Sequence, residues 1–282
     1  MSKKICIYLI IPILVIGGIY VLPYKIILLL ALPIIASFIY IMSRNSKVMY
    51  KTIEEGMKII QNKYSIKQLD IGDFKQMTIY GIISFYTKAY NIEGLGILSI
   101  MTVNLGVMQM FTFSINPYEK DLPQMSNDII YMFNKRIFRI EFYNLMIDSQ
   151  NSEYKSFINK IKEINNKYSY FEDVEIKKNW YLDLLSALIL KKEGTKYEQK
   201  FIELFIEVMK LYIEYSNNIN KLNNENIIKK ISLIEEFGNN LIDKGGVSTD
   251  AFKKRFGIEK TRKFFGNAFF GYYTYKYILE NK

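Results

Sequence analysis

Residues 108–148, MQMFTFSINPYEKDLPQMSNDIIYMFNKRIFRIEFYNLMID, decide the fold. Ile, Phe, Tyr, Thr and Val are concentrated in short runs separated by turn residues, the pattern of strands rather than helices. Asn134-Lys135 makes a short hairpin loop between two of these runs. In the last run Phe138, Ile140 and Phe142 share one face, and Arg139, Glu141 and Tyr143 share the other. Connections this short imply antiparallel neighbours, because parallel strands need long crossovers.

Outward from this stretch the pattern continues upstream. Strands are expected over 77–90, 95–103, 107–115, 128–133 and 136–145, with turns at 91–94 and at Asn104-Leu105-Gly106. Before them, Met49, Ile53, Met57, Ile60 and Tyr64 recur at helical spacing. After Ser149 the chain reads as helical, over 153–168, 180–191, 197–218, 225–243 and 259–279, with Gly245-Gly246 stopping the fourth segment. A helix before a sheet and several after it predict a sheet covered on both faces. The expected class is therefore α/β (α+β by some schemes).

The first forty residues differ. Residues 5–22 carry no charge, and neither do 26–42. About 20 helical residues cross a hydrocarbon core of ~30 Å. Two transmembrane helices are therefore expected, as a hairpin anchor over 1–45, followed by one domain over 46–282. A cleaved signal peptide is the competing reading, but no A-x-A-like site follows the first run and a second apolar run does. Lys3, Lys4, Arg44, Lys47 and Lys51 flank the pair, while the turn holds only Lys25, which predicts a cytoplasmic domain held at a lipid bilayer.

Composition narrows the chemistry. The chain of 282 residues is half apolar and 15% aromatic, so a large core is expected. It contains no His and one Cys, Cys6. That removes imidazole-based catalysis and the usual zinc sites, so no metal is expected and proton chemistry falls to Asp, Glu, Tyr or Lys. The net charge of +10 favours acidic partners. No nucleic-acid-binding signature is present, so nucleic acid is not among the expected partners.

The central stretch resembles the ferredoxin-dependent bilin reductase family. There a strand ending in an apolar residue and Pro leads to a D-L-P or G-L-P tripeptide, and a catalytic Asp follows five residues after its Pro. Here Asp121-Leu122-Pro123 is followed by Asp128. Near the C-terminus, residues 251–257 (AFKKRFG), Thr261-Arg262 and Phe269-Phe270 are similar to the family's last helices. The resemblance covers roughly residues 47–282. It implies a three-layer αβα sandwich with a central antiparallel sheet and a linear tetrapyrrole between the sheet and the C-terminal helices. It also implies reduced ferredoxin as the electron donor, with no bound cofactor.

Candidate residues follow from it. Asp128 is the expected proton donor: apolar strand neighbours would desolvate its carboxyl and raise its pKa. A loop-capping Asp is the alternative. A position that holds His or Asn in the family falls on Phe111, and a further carboxylate of one branch falls near Ser99. Asp243 is the nearest counterpart of a second catalytic Asp. Lys135, Arg136 and Arg139 are candidates for binding substrate carboxylates, or form a solvated strand face. Lys253, Lys254 and Arg255 would dock an acidic ferredoxin-like protein, or form a solvated helix face.

Two functions are consistent with these residues. One is a membrane-anchored oxidoreductase reducing a double bond of a bilin. The other is a non-catalytic, membrane-anchored tetrapyrrole-binding or interaction protein of the same fold. Either reading predicts that the full-length protein sediments with membranes and that truncation to about residue 44 releases a domain needing no detergent. Full-length protein in the soluble fraction would contradict this.

Overall fold

The computed structural model describes residues 24–281, apart from 80, 82, 107, 177, 247 and 248. Its contacts divide the chain into residues 1–44 and 45–282. The expected first membrane helix, 5–22, lies outside the described residues. The expected second one is corrected: 26–42 is the start of a single helix, α1 (Tyr24–Gln61). No Gly or Pro interrupts residues 34–55 to stop it. The uncharged run of 26–42 would reach only about 26 Å, short of a hydrocarbon core. Among the described residues no helix is long and apolar enough to cross a membrane.

The domain from Asn45 onward is built on one antiparallel sheet. Its strands are β1 (Ile66–Gln68), β2 (Gln76–Ile79), β3 (Ile83–Ile92), β4 (Gly96–Leu105), β5 (Met108–Pro117), β6 (Gln124–Met132), β7 (Lys135–Tyr143), β8 (Glu172–Asp173) and β9 (Leu185–Gly194). They run in the order β1-β3-β4-β5-β6-β7-β9-β8, with β2 folded back on β3. Helices α2 (Ser152–Lys167) and α3 (Glu198–Asn218) follow the meander, then α4 (Asn224–Asp243), α5 (Thr249–Phe256), α6 (Ile258–Phe264), a π-helical turn (Phe265–Phe269) and α7 (Tyr272–Glu280).

Two cores lie on the two faces of the sheet. In the first, Phe111, Phe113, Phe138 and Ile140 meet Met49 and Ile60 of α1, Phe157 of α2 and Phe201 and Phe205 of α3. In the second, Ile97, Met101 and Tyr143 meet Ile234 and Phe237 of α4, Phe252, Phe264 and Tyr275. The domain is thus the expected three-layer arrangement, helices on both faces of an antiparallel sheet.

Four local expectations are corrected. Residues 77–90 are not one strand: the chain turns at Gly81 and Ile79 pairs with Ile83. Residues 180–191 are not a helix: a short 3₁₀ turn (Trp180–Leu184) leads into β9, which pairs along β7. The apolar cluster there fits either period, and the open edge of β7 selects the strand. Asp128 does not open its strand; β6 begins four residues earlier, because Met125 is drawn into the first core. The last expected helix is cut at Gly271, whose φ of +76° is a left-handed conformation that stops a helix.

Gly96 is the tightest backbone contact in the sheet. Its φ is +152°, and a Cβ there would meet Asn116 O at 2.1 Å and Tyr118 N at 2.7 Å. Gly96→Ala is expected to destabilise the domain by about 1–3 kcal/mol through strain at the end of β5. Chemical denaturation measures it, and an unchanged midpoint would refute the close approach.

Candidate functional site

The second face of the sheet carries a polar stripe at its centre. Because side chains alternate, the residues whose neighbours fill the first core point Thr112, Ser126, Asp128, Arg139, Glu141 and Tyr143 the other way, into an inner pocket of about 90 Å³. Phe237 and Leu241 of α4, Phe252, Phe265 and Phe269 roof it. It adjoins a wider cleft of about 740 Å³, which shares Asp128, Arg139, Tyr181 and Gly246 and is walled by Val174, Trp180 and Lys244. That volume lies in the usual range of small-molecule sites, and Asp128, Arg139, Glu175, Lys178, Lys244 and Asp250 bring charge to its walls. Trp180 holds the wall by donating its indole N–H to Gly245 O at 2.8 Å, with Lys244 Nζ 5.1 Å over its ring.

Register places the charged groups. Asp128 stands opposite Thr112 on one side and Arg139 on the other. The Thr112 hydroxyl donates to Asp128 Oδ1 at 2.5 Å. Arg139 Nη2 donates to Glu141 Oε1 at 2.6 Å and to the Tyr181 hydroxyl at 3.5 Å. Burial pushes the Asp128 carboxyl above its ordinary pKa, against the pull of Thr112 and Arg139. Glu141, 3% exposed, is pushed up to about 7 by burial, with the Arg139 charge pulling it down and the Asp128 charge adding to the rise. Burial therefore favours the protonated form of both carboxyls. Arg139 Nε is buried and has no hydrogen-bond partner among the described residues, an open donor for a ligand oxygen.

The D-L-P loop fixes one end of this face. Asp121 accepts from the backbone N–H groups of Ile147 and Asp148 at 2.9 and 2.8 Å. Buried Lys230 of α4 donates to Leu122 O at 2.6 Å and to Asp121 at 3.2 Å. Burial lowers its pKa to about 8, against the attraction of Asp121. From the opposite layer the Tyr212 hydroxyl donates to Pro123 O at 2.9 Å. Helices of both layers thus bond to one loop, and Asp121 is occupied in shaping it.

Of the five expected site residues, the structure brings together Asp128 and Arg139. Phe111 is on the other face of the sheet, packed edge-on against Phe205 at 6.2 Å in the first core. Its neighbour Thr112 occupies the cavity side, so Phe111 is corrected: the pleat turns it away from the cavity. Arg136 is corrected likewise: it faces the first core, where its Nε donates to Glu198 at 2.7 Å and its Nη2 to Asn45 at 2.8 Å. Asp243 is half exposed and accepts from Arg262 at 2.6 Å; it does not line the cavity. Ser99 is buried and donates to Ala268 O at 2.6 Å. The residue that sequence reasoning missed is Glu141. Its signal was available, since it shares a strand face with Arg139, which the hairpin register sets opposite Asp128. Among the described residues, no group of three or more His, Cys, Asp or Glu side chains could hold a metal ion.

The fold is similar to that of phytochromobilin synthase from tomato, a structure solved in complex with biliverdin. The TM-score is 0.66 at 10% sequence identity, over 79% of this chain and 83% of that one. No protein-family model matches the chain, and no curated protein sequence does.

Arg136 therefore clamps α1 and α3 to the sheet. Arg136→Ala is expected to cost about 3 kcal/mol of stability by removing the bonds that tie Glu198 and Asn45 to the sheet in a mostly buried place. Thermal or denaturant unfolding measures this; a variant as stable as the wild type would contradict the clamp.

Proposed function

We propose that the protein is an oxidoreductase that reduces a double bond of a linear tetrapyrrole with electrons from a reduced ferredoxin. The observation that carries this reading is a pair of buried carboxyls, Asp128 and Glu141, both shifted toward their protonated forms and lining one pocket between the sheet and the C-terminal helices. The fold of a protein solved with biliverdin supports the substrate class. A cleft of about 740 Å³ has room for such a molecule, and aromatic side chains supply flat apolar contact.

The reaction needs two electrons and two protons for each double bond. Ferredoxin delivers electrons singly, so two reduced ferredoxins are oxidised per bond. The protein supplies protons where charge develops. Asp128 is the principal donor: it reaches both the inner pocket and the cleft, and burial favours its protonated form. The open Nε of Arg139 receives a carbonyl or carboxylate oxygen of the substrate. Helix α5 turns Lys254 and Arg255 outward while its Thr249 and Phe252 line the pocket, which brings a basic surface beside the site for an acidic ferredoxin.

The apolar N-terminal stretch holds the protein at a lipid bilayer, with the domain on the cytoplasmic side. Leu32, Ile35 and Ile39 of α1, on one helix face and each more than half exposed, support attachment at the surface of the bilayer.

The test is anaerobic reduction of biliverdin with reduced ferredoxin, followed by visible absorption. Wild type is expected to bind and consume the bilin. Asp128→Asn is expected to bind it and turn over at least about a hundredfold more slowly, the scale of general-acid catalysis. Asp121→Asn should slow turnover far less. Equal turnover of wild type and Asp128→Asn would reject Asp128 as donor. Binding without reduction by wild type would leave a non-catalytic tetrapyrrole-binding protein.

A further inference from the structure

Saturating one double bond consumes two protons, and a single carboxyl holds one. The residue expected from sequence to be the second acid, Asp243, is paired with Arg262 and does not line the cavity, and the Ser99 hydroxyl is committed to Ala268 O. The strand after Asp128 offers one instead. We infer that Glu141 is the second acid of the reaction, giving the proton that accompanies the second electron; this rests on the function proposed above.

The geometry supports it on three counts. Glu141 stands on the same sheet face as Asp128, opposite Ser126 on the adjoining strand, and lines the same inner pocket. It is held there by Arg139, which lies between the two carboxyls along the ladder and bonds Glu141 directly. Its surroundings are otherwise low in charge. From β5 it is faced by Thr112, from β6 by Asp128, from β7 by Arg139 and Tyr143, and from the 3₁₀ turn by Tyr181. The roof from α4, α5 and the π-helical turn is apolar or neutral. A carboxyl so placed keeps its proton at pH values where a solvated Glu has lost it.

The steps balance. The bilin takes one electron from the first ferredoxin and one proton from Asp128, giving a neutral radical and an Asp128 carboxylate. It then takes the second electron and the proton of Glu141, completing the second bond to hydrogen and leaving a Glu141 carboxylate. Arg139 neutralises charge on both residues, and solvent returns the two protons, to Asp128 through the wider cleft that it lines and to Glu141 through the inner pocket that the two share.

The test uses the full-length protein in single-turnover reduction of biliverdin by reduced ferredoxin, followed from about pH 5 to about pH 9. Wild-type turnover is expected to fall as the pH rises through about 7, as Glu141 loses its proton. In Glu141→Gln the radical should accumulate, its decay should slow by about a hundredfold, and that limb of the profile should vanish. Glu141→Asp should recover decay and limb. Infrared difference titration without bilin gives a second readout: a protonated-carboxyl band lost near pH 7, present in Asp128→Asn and missing from Glu141→Gln. Undiminished radical decay with an unchanged pH limb in Glu141→Gln, or no such band, would overturn the inference and leave the proposed function standing. A wild type that reduces no bilin would overturn both.

Discussion

Successive side chains of a strand point to opposite faces, and in β5, β6 and β7 this period of two separates the chemistry of the protein from its packing. Phe111, Phe113, Phe138 and Ile140 go to one side, where α1, α2 and α3 bury them. The intervening Thr112, Asp128, Arg139 and Glu141 must then face the other layer, where α4 and the C-terminal segments cannot close on them completely. A slip of one residue in β6 or β7 would place a carboxylate in the aromatic core. Register is held at one end by the two-residue loop between β6 and β7, and at the other by the Asp121 loop, which Lys230 and Tyr212 grip from the two faces.

The electrostatics of the cavity follow from that placement. Two carboxyls and one guanidinium share a space roofed by Phe side chains. Neither carboxyl is solvated well enough to ionise as a free acid does, and Arg139 cannot satisfy both. A site of this kind is costly unless its groups are used, and raised carboxyl pKa values in a cleft are what proton delivery requires. Arg136, three residues away and on the opposite face, shows the contrast: its charge is fully occupied in joining helices to the sheet.

Much of this was legible in the sequence. The meander was visible because β4 to β7 are apolar, β-branched and joined by short turns. Asp128 and Arg139 were found as candidates, and the alternation of Phe138–Tyr143 already set Glu141 beside Arg139. What failed has local physical reasons. Phe111 is a candidate by motif position alone, and motif position does not carry the phase of the pleat. Arg136 and Arg139 look alike in sequence, yet three residues along a strand reverse the face. The segment 180–191 is apolar enough for either period, and only the free edge of β7 decides it. The cleft itself is assembled from β6, β7, the 3₁₀ turn and the start of α5, whose proximity no local pattern encodes.

The most direct test of the account is a structure of the full-length protein with biliverdin bound. The account predicts the tetrapyrrole in the cleft between β5–β7 and α4–α5, with Asp128 and Glu141 within hydrogen-bonding reach of its pyrrole or lactam groups and Arg139 Nε on one of its oxygens. A bilin seated elsewhere on the protein, with Asp128 and Glu141 untouched, would contradict it.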